Sequence, residues 1–209
     1  MLRTNWHGME FYLDEPGLKT HSLKPIQLVD REAYGEALNG VSFPLHWLTE
    51  YRICILPYRL FDYPDTLALT LDANATYVFA TTWQLTPRMV HRLAVHELGH
   101  VVDFRLMNEK RWAEYRKIRG LTDTMKYRDT SPYHKDRPRE VFAEDFRLLF
   151  GAELAAKNPH ENFGLANPKE VPGLKDFFLS LVPNIITLSD ETTRANPEQS
   201  DPVQGKTRL

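Results

Sequence analysis

Cysteine is nearly missing from this 209-residue chain: Cys54 is the only one. A disulfide framework is thereby excluded, and so is a metal centre built on thiolates. Long apolar runs are missing too, and no stretch approaches the roughly 20 residues that a membrane-spanning helix requires. Charge of one sign is not in excess either. The 26 Lys and Arg stand against 28 Asp and Glu, a net charge of −2, so no global field draws the chain to nucleic acid or to an anionic bilayer. The opening residues MLRTNWHGMEFYLDEPG carry no apolar segment of the signal-peptide kind. The expectation is a cytoplasmic protein, with secretion left open for a removed leader or a non-classical route. There is no internal repeat and no phosphate-binding glycine loop.

What is present is a chain 42% hydrophobic, enough for a proper core and of a length that suits one domain. Short runs rich in β-branched and aromatic residues read as strands at 26–30 (IQLVD), 51–57 (YRICILP), 67–71 (LALTL) and 76–81 (TYVFAT), with a helix at 31–39 between the first two. The pattern then turns helical. Thr86 followed by Pro87 is a helix start, a capping hydroxyl with proline at the first helical position. From there to about Met107, residues Val90, Leu93, Val101 and Phe104, with Ala94, recur as a buried stripe. Further helices are expected at 109–118, 138–150 and 172–182, with a mostly looped stretch over 120–138. The segment EKRWAEYRKIRG, five basic residues against two acidic with Trp112 and Tyr115 between them, reads as an amphipathic surface helix and not a nucleic-acid face. The layout is one domain over 1–185, sheet plus central helix to about 107 and helical from 108, with a polar, disordered tail over 186–209.

Within the long helix, residues 96–100 spell HELGH. His96 and His100 are four apart, which on a helix sets both imidazoles on one face, near enough to share one metal ion. Glu97 projects about 100° round the helix, where it can serve a water but not join the same face. Gly99 costs helix stability, about 1 kcal/mol relative to alanine. It is either tolerated or demanded by the close approach of another backbone.

Two histidines seldom hold zinc alone; a catalytic site takes three protein ligands and leaves a fourth position open. Position 106 is leucine, so the longer word with a third histidine six residues on is ruled out. His134 and His160 lie in loop context. Asp103 shares the face of the two histidines but starts a turn too far along, and reads as a hydrogen-bond acceptor. The helix at 138–150 offers Glu140, Glu144 and Asp145, the two glutamates on one face beside Val141, Phe142 and Phe146. From the residues alone, a ligand from this helix stands beside the plainer reading of a charged helix start.

The run Tyr133-His-Lys-Asp-Arg-Pro-Arg-Glu140, followed by VFAEDFR, resembles the signature downstream of the HExxH helix in the anthrax lethal factor catalytic domain and the related small Pro-Pro endopeptidases. The likeness spans about residues 86–150, extends to 172–182, and is weak before 75. It implies a zincin-like α+β fold: a small twisted N-terminal sheet, a central metal-binding helix and a helical C-terminal half. It also implies one zinc ion held by His96, His100 and Glu140, with Glu97 as general base and Tyr133 stabilising the oxyanion. Tyr127 is the fallback for Tyr133. Glu144 is then expected to orient a ligand histidine, against the alternative of a salt bridge to Arg147. Strand 76–81 is expected to form the sheet edge on which an extended peptide docks, and Trp83 to lie in the core, with a place shaping the cleft as the alternative. The function expected is zinc-dependent endopeptidase action on a protein or peptide substrate. The alternatives are a zincin-fold binding or regulatory module with little turnover, and a regulatory protease with one dedicated target.

Overall fold

The computed structural model describes residues 3–6, 9–12, 27–57 and 65–183. Strands β1 (Arg3–Trp6), β2 (Met9–Tyr12), β3 (Arg52–Leu56), β4 (Ala68–Asp72) and β5 (Ala75–Phe79) form one sheet in the order β1-β2-β3-β5-β4. β3 runs parallel to β2 and to β5, whereas β4 is antiparallel to β5. With neighbours on both sides, β3 is a continuous apolar run in which Ile53, Cys54, Ile55 and Leu56 are all buried, as expected for an interior parallel strand. Period-two alternation sorts the side chains by face. Ile53, Ile55 and Val78 point into the main core, and Cys54, Leu56 and Phe79 form a smaller cluster on the other side.

The helices are α1 (Arg31–Asn39), α2 (Pro87–Leu106), α3 (Glu109–Arg119), α4 (Pro138–Phe150), α5 (Glu153–Ala156) and α6 (Leu174–Ser180). Local chemistry starts and stops them. Asp30 accepts from the Glu32 and Ala33 amides to cap α1, and Asn108 accepts from the Arg111 amide to cap α3. Thr86 Oγ1 accepts from the Met89 amide ahead of Pro87. Gly120, at φ +75°, ends α3 in the left-handed conformation that glycine adopts without penalty. Phe178 of α6 packs at a tilt against Phe142 of α4 at 4.6 Å between ring centres, and Tyr115 of α3 meets Phe142 edge-on at 5.1 Å. This aromatic cluster clamps α4 between α3 and α6.

The architecture is mixed α and β, with the strands before residue 80 and helices dominating after it. Among the described residues no helix is long and apolar enough to cross a membrane. The helix expected at 31–39 and the three later strands lie where the sequence pattern puts them. Over its described residues, 27–30, the strand expected at 26–30 does not form: Gln27 makes a single bridge to Thr81, and by Asp30 the chain is already committed to capping α1. Strands β1 and β2 and the one-turn α5 have no counterpart among the sequence expectations; β2 gains its partner from β3, some 40 residues along. Trp83 is partly exposed, not in the core. Phe104 also leaves the expected stripe. At about 100° per residue the buried arc of α2 centres on Ala94, Leu98 and Val101, so Phe104 falls at its edge. There the ring is exposed and lies 5.5 Å beneath the Arg139 guanidinium. The expected tail at 186–209 lies outside the described residues.

Candidate metal centre

Helices α2 and α4 cross at a point where no side chain fits. A Cβ on Gly99 would lie 2.7 Å from Ala143 Cα and 3.0 Å from its carbonyl oxygen. Close backbone approach is therefore what Gly99 provides. The crossing sets the register of the chemistry. His96 and His100 stand three before and one after Gly99; Glu140 and Glu144 stand at the same offsets from Ala143.

Three of these side chains converge on a common point. His96 Nε2 and His100 Nε2 are 3.2 Å apart, and each is 3.2 Å from Glu140 Oε2. Among the described residues, His96, His100 and Glu140 form a group able to hold a metal ion. The fit of that triangle to zinc follows from geometry. Four ligands at about 2.0–2.1 Å in a tetrahedron put neighbouring donor atoms about 3.3 Å apart.

The other imidazole nitrogen of His96 sets its tautomer. His96 Nδ1 lies 3.0 Å from Glu144 Oε1. A carboxylate only accepts, so Nδ1 carries a proton, and Nε2 is the nitrogen left to give up its own proton to a cation at the centre. Glu144 is itself held. Arg147, fully buried, donates from Nε to Oε1 at 3.0 Å and from Nη2 to Oε2 at 2.8 Å, and the Glu161 amide reaches Oε2 at 3.2 Å. The two readings weighed for Glu144, histidine partner and Arg147 salt bridge, thus both hold. Burial alone would raise the Glu144 pKa, but hydrogen bonds from His96 and Arg147 outweigh it and hold the carboxyl well below its usual range. Glu140 is likewise held low against its burial, by His100, His134 and His96. Burial works against protonating His96, yet hydrogen bonds to Glu140 and Glu144 push its pKa up to about 10. The cluster interleaves carboxylates with imidazoles, and its His96–His100–Glu140 corner could hold a metal ion.

Glu97 is buried beside the triangle, its Oε2 accepting from Thr70 Oγ1 of β4 at 2.7 Å. Behind Thr70 stand Thr76 Oγ1 at 2.5 Å and then the Tyr51 hydroxyl, hydrogen-bonded to Thr76. Burial keeps the Tyr51 phenol well above its usual pKa, so it remains protonated.

The remaining candidates separate cleanly. Asp103 is buried and accepts from Trp112 Nε1 at 3.1 Å and Arg139 Nη1 at 2.5 Å, a brace between α2, α3 and α4. Asp145 faces away from the triangle, accepting from the Tyr115 hydroxyl at 2.7 Å and Arg119 Nε at 2.8 Å. His160 is buried next to it, its Nε2 3.3 Å from Asp145 Oδ1. Tyr127 belongs to the hydrophobic core. Tyr133 is 65% exposed and immediately precedes the 3-10 turn His134–Asp136. His134, in that turn, places Nε2 3.2 Å from Glu140 Oε2, and its Nδ1 is 3.3 Å from Glu161. Those two carboxylates push its pKa up to about 9.

β5 lies between β3 and β4, so 76–81 is not a sheet edge. Among the described residues, the strand ending the sheet beside Glu97 is β4. Sequence reasoning missed Thr70, Thr76 and Tyr51, because threonine and tyrosine in strands are ordinary strand formers and no spacing marks them out. It also left His134 aside for want of a helix; the only signal was its adjacency to Tyr133. Compared with protein-family models, with curated proteins and with solved structures, the chain matches none.

Proposed function

We propose that the chain is a zinc-dependent endopeptidase of the zincin-like kind, with a site like that of lethal factor and the Pro-Pro endopeptidases. The observation that carries this reading is the 3.2 Å triangle of His96 Nε2, His100 Nε2 and Glu140 Oε2, with Glu97 anchored alongside. A site that only stored metal would gain nothing from an adjacent carboxylate that is not a ligand.

In this reading His96, His100 and Glu140 hold the ion, and Glu144 keeps His96 in the ligating tautomer. When bound, zinc supplies Lewis acidity, polarising the scissile carbonyl and lowering the pKa of a water. Glu97 takes the proton from the attacking water and passes it to the leaving nitrogen. Tyr133 donates to the oxyanion that develops on the carbonyl. The exposed loop position of Tyr133 suits a group that meets substrate as it arrives. β4, the edge strand among the described residues, offers its outer backbone to an extended peptide, which would pair with it in β-augmentation.

The test is metal content together with cleavage of a diverse peptide library. One zinc per chain is expected, with cleavage lost in Glu97→Ala while zinc is retained. Removing a general base lowers turnover about 10²- to 10⁴-fold. Tyr133→Phe should lower kcat with zinc content unchanged. Zinc retention with no cleavage by the wild-type chain would favour the binding-module alternative. A metal closed by Asp103 or His134 in place of Glu140 would overturn the ligand set.

A further inference from the structure

The hydrogen-bonded chain behind Glu97 has a direction that follows from counting protons. The Glu97 carboxylate only accepts, so Thr70 spends its single hydroxyl proton on Oε2. The contact between Thr70 and Thr76 must then be donated by Thr76, and the one between Thr76 and Tyr51 by Tyr51. The order of donation is Tyr51 to Thr76 to Thr70 to Glu97. Tyr51 and Thr76 are buried, so water does not compete for these bonds. Each hydroxyl polarises the next. Three strand-side residues thus spend their polarity on one oxygen of one carboxylate, on the neighbouring helix. Among the described residues, no hydrogen bond holds Glu97 Oε1.

Thr70 also occupies a special place in its strand. It pairs with Thr76, the next register pair is Asp72 with Ala75, and Leu71 is the extra residue between them. A β-bulge re-aims the side chains beside it, and here it lies next to the residue that meets Glu97.

We infer that Thr70 is a positioning residue for the general base: the Tyr51–Thr76–Thr70 relay pins Glu97 by Oε2 and leaves Oε1 as the oxygen that handles the proton. The inference rests on the peptidase reading. It adds a coupling between docking and chemistry. The residue that anchors the base belongs to the edge strand, so a peptide paired on β4 is held in fixed register to Glu97 through one strand.

The test combines kinetics with melting. Thr70→Val keeps the shape and removes the donor; Thr70→Ser restores it. With zinc content equal to wild type, Thr70→Val should lower kcat on the order of ten- to a hundredfold, the value of one hydrogen bond to a charged group. KM should hold, and Thr70→Ser should recover most of kcat. Independently of turnover, a double-mutant cycle on the metal-free protein should be non-additive, the Tm change of Thr70→Val shrinking in a Glu97→Ala background. An unchanged kcat in Thr70→Val, a loss lying wholly in KM, a Ser variant as impaired as Val, or an additive cycle overturns the relay. A wild-type chain that cleaves nothing, with a non-additive cycle, overturns the peptidase reading and leaves the relay contact standing.

Discussion

Glu144 shows how much one buried carboxylate does at this centre. One oxygen meets His96 Nδ1 and Arg147 Nε, the other Arg147 Nη2 and the Glu161 amide. Glu144→Ala therefore strikes two properties at once. Losing the partner that orients His96 should weaken zinc affinity about 10- to 100-fold, read by chelator competition. Leaving Arg147 buried without its anion should destabilise the fold by about 3–5 kcal/mol, read by denaturant unfolding. Arg147 also donates to the carbonyls of Ala155, Asn158 and Pro159, so the loss reaches α5 and the loop after it. Unchanged zinc affinity would show that His96 does not depend on Glu144. At this scale the sequence could name Glu144 and Arg147 as neighbours one turn apart, but not that His96 lies against both.

At the scale of elements, the α2–α4 crossing decides the site. Gly99→Ala drives a methyl against the Ala143 backbone, which cannot swing aside as a side chain can. The expected cost is about 1–3 kcal/mol, with zinc affinity falling as Glu140 is moved off the two histidines. Thr86→Ala is the contrasting variant. It removes the cap of the same helix three turns from His96, costs about 1 kcal/mol, and should leave zinc affinity as it was. Equal effects of the two variants on zinc, measured by the same competition assay, would mean that the crossing does not set the site. The helix boundaries were largely readable because caps and proline are local signals. β5 as an interior strand was not: the run TYVFAT looks alike at an edge or between two strands.

For the whole molecule, the charged groups of the site make stability depend on pH and on metal in opposite ways. Glu140 and Glu144 are depressed below the ordinary 4.5, so their contribution is present above that pH and is lost progressively as pH falls below it. His96 is raised from 6.5 to about 10, so its contribution is full below pH 6.5 and is lost as pH rises towards 10. The metal-free protein should therefore melt highest between about pH 4.5 and 6.5 as far as these groups act. On the proposed ligand set, zinc needs the His96 lone pair and displaces its proton. The rise in Tm on adding zinc should grow from pH 6.5 upward, and a zinc effect that shrinks over that range would contradict the ligand set. Calorimetry with and without chelator measures both curves.

Sequence by itself determined what depends on short range. The four-residue spacing of His96 and His100, the offset of Glu97, the helix start at Thr86, and the helical face shared by Glu140 and Glu144 all follow from local helix geometry. The tertiary structure decided what depends on separation in the chain. It settled which carboxylate closes the triangle 44 residues from His96, that Gly99 exists for a backbone crossing, and that β4 borders Glu97. It also assembled Tyr51, Thr70 and Thr76 behind the base, residues on three different strands or their approaches. Local spacing encodes which groups share a helix face; only packing of helix on helix and helix on sheet encodes which faces meet.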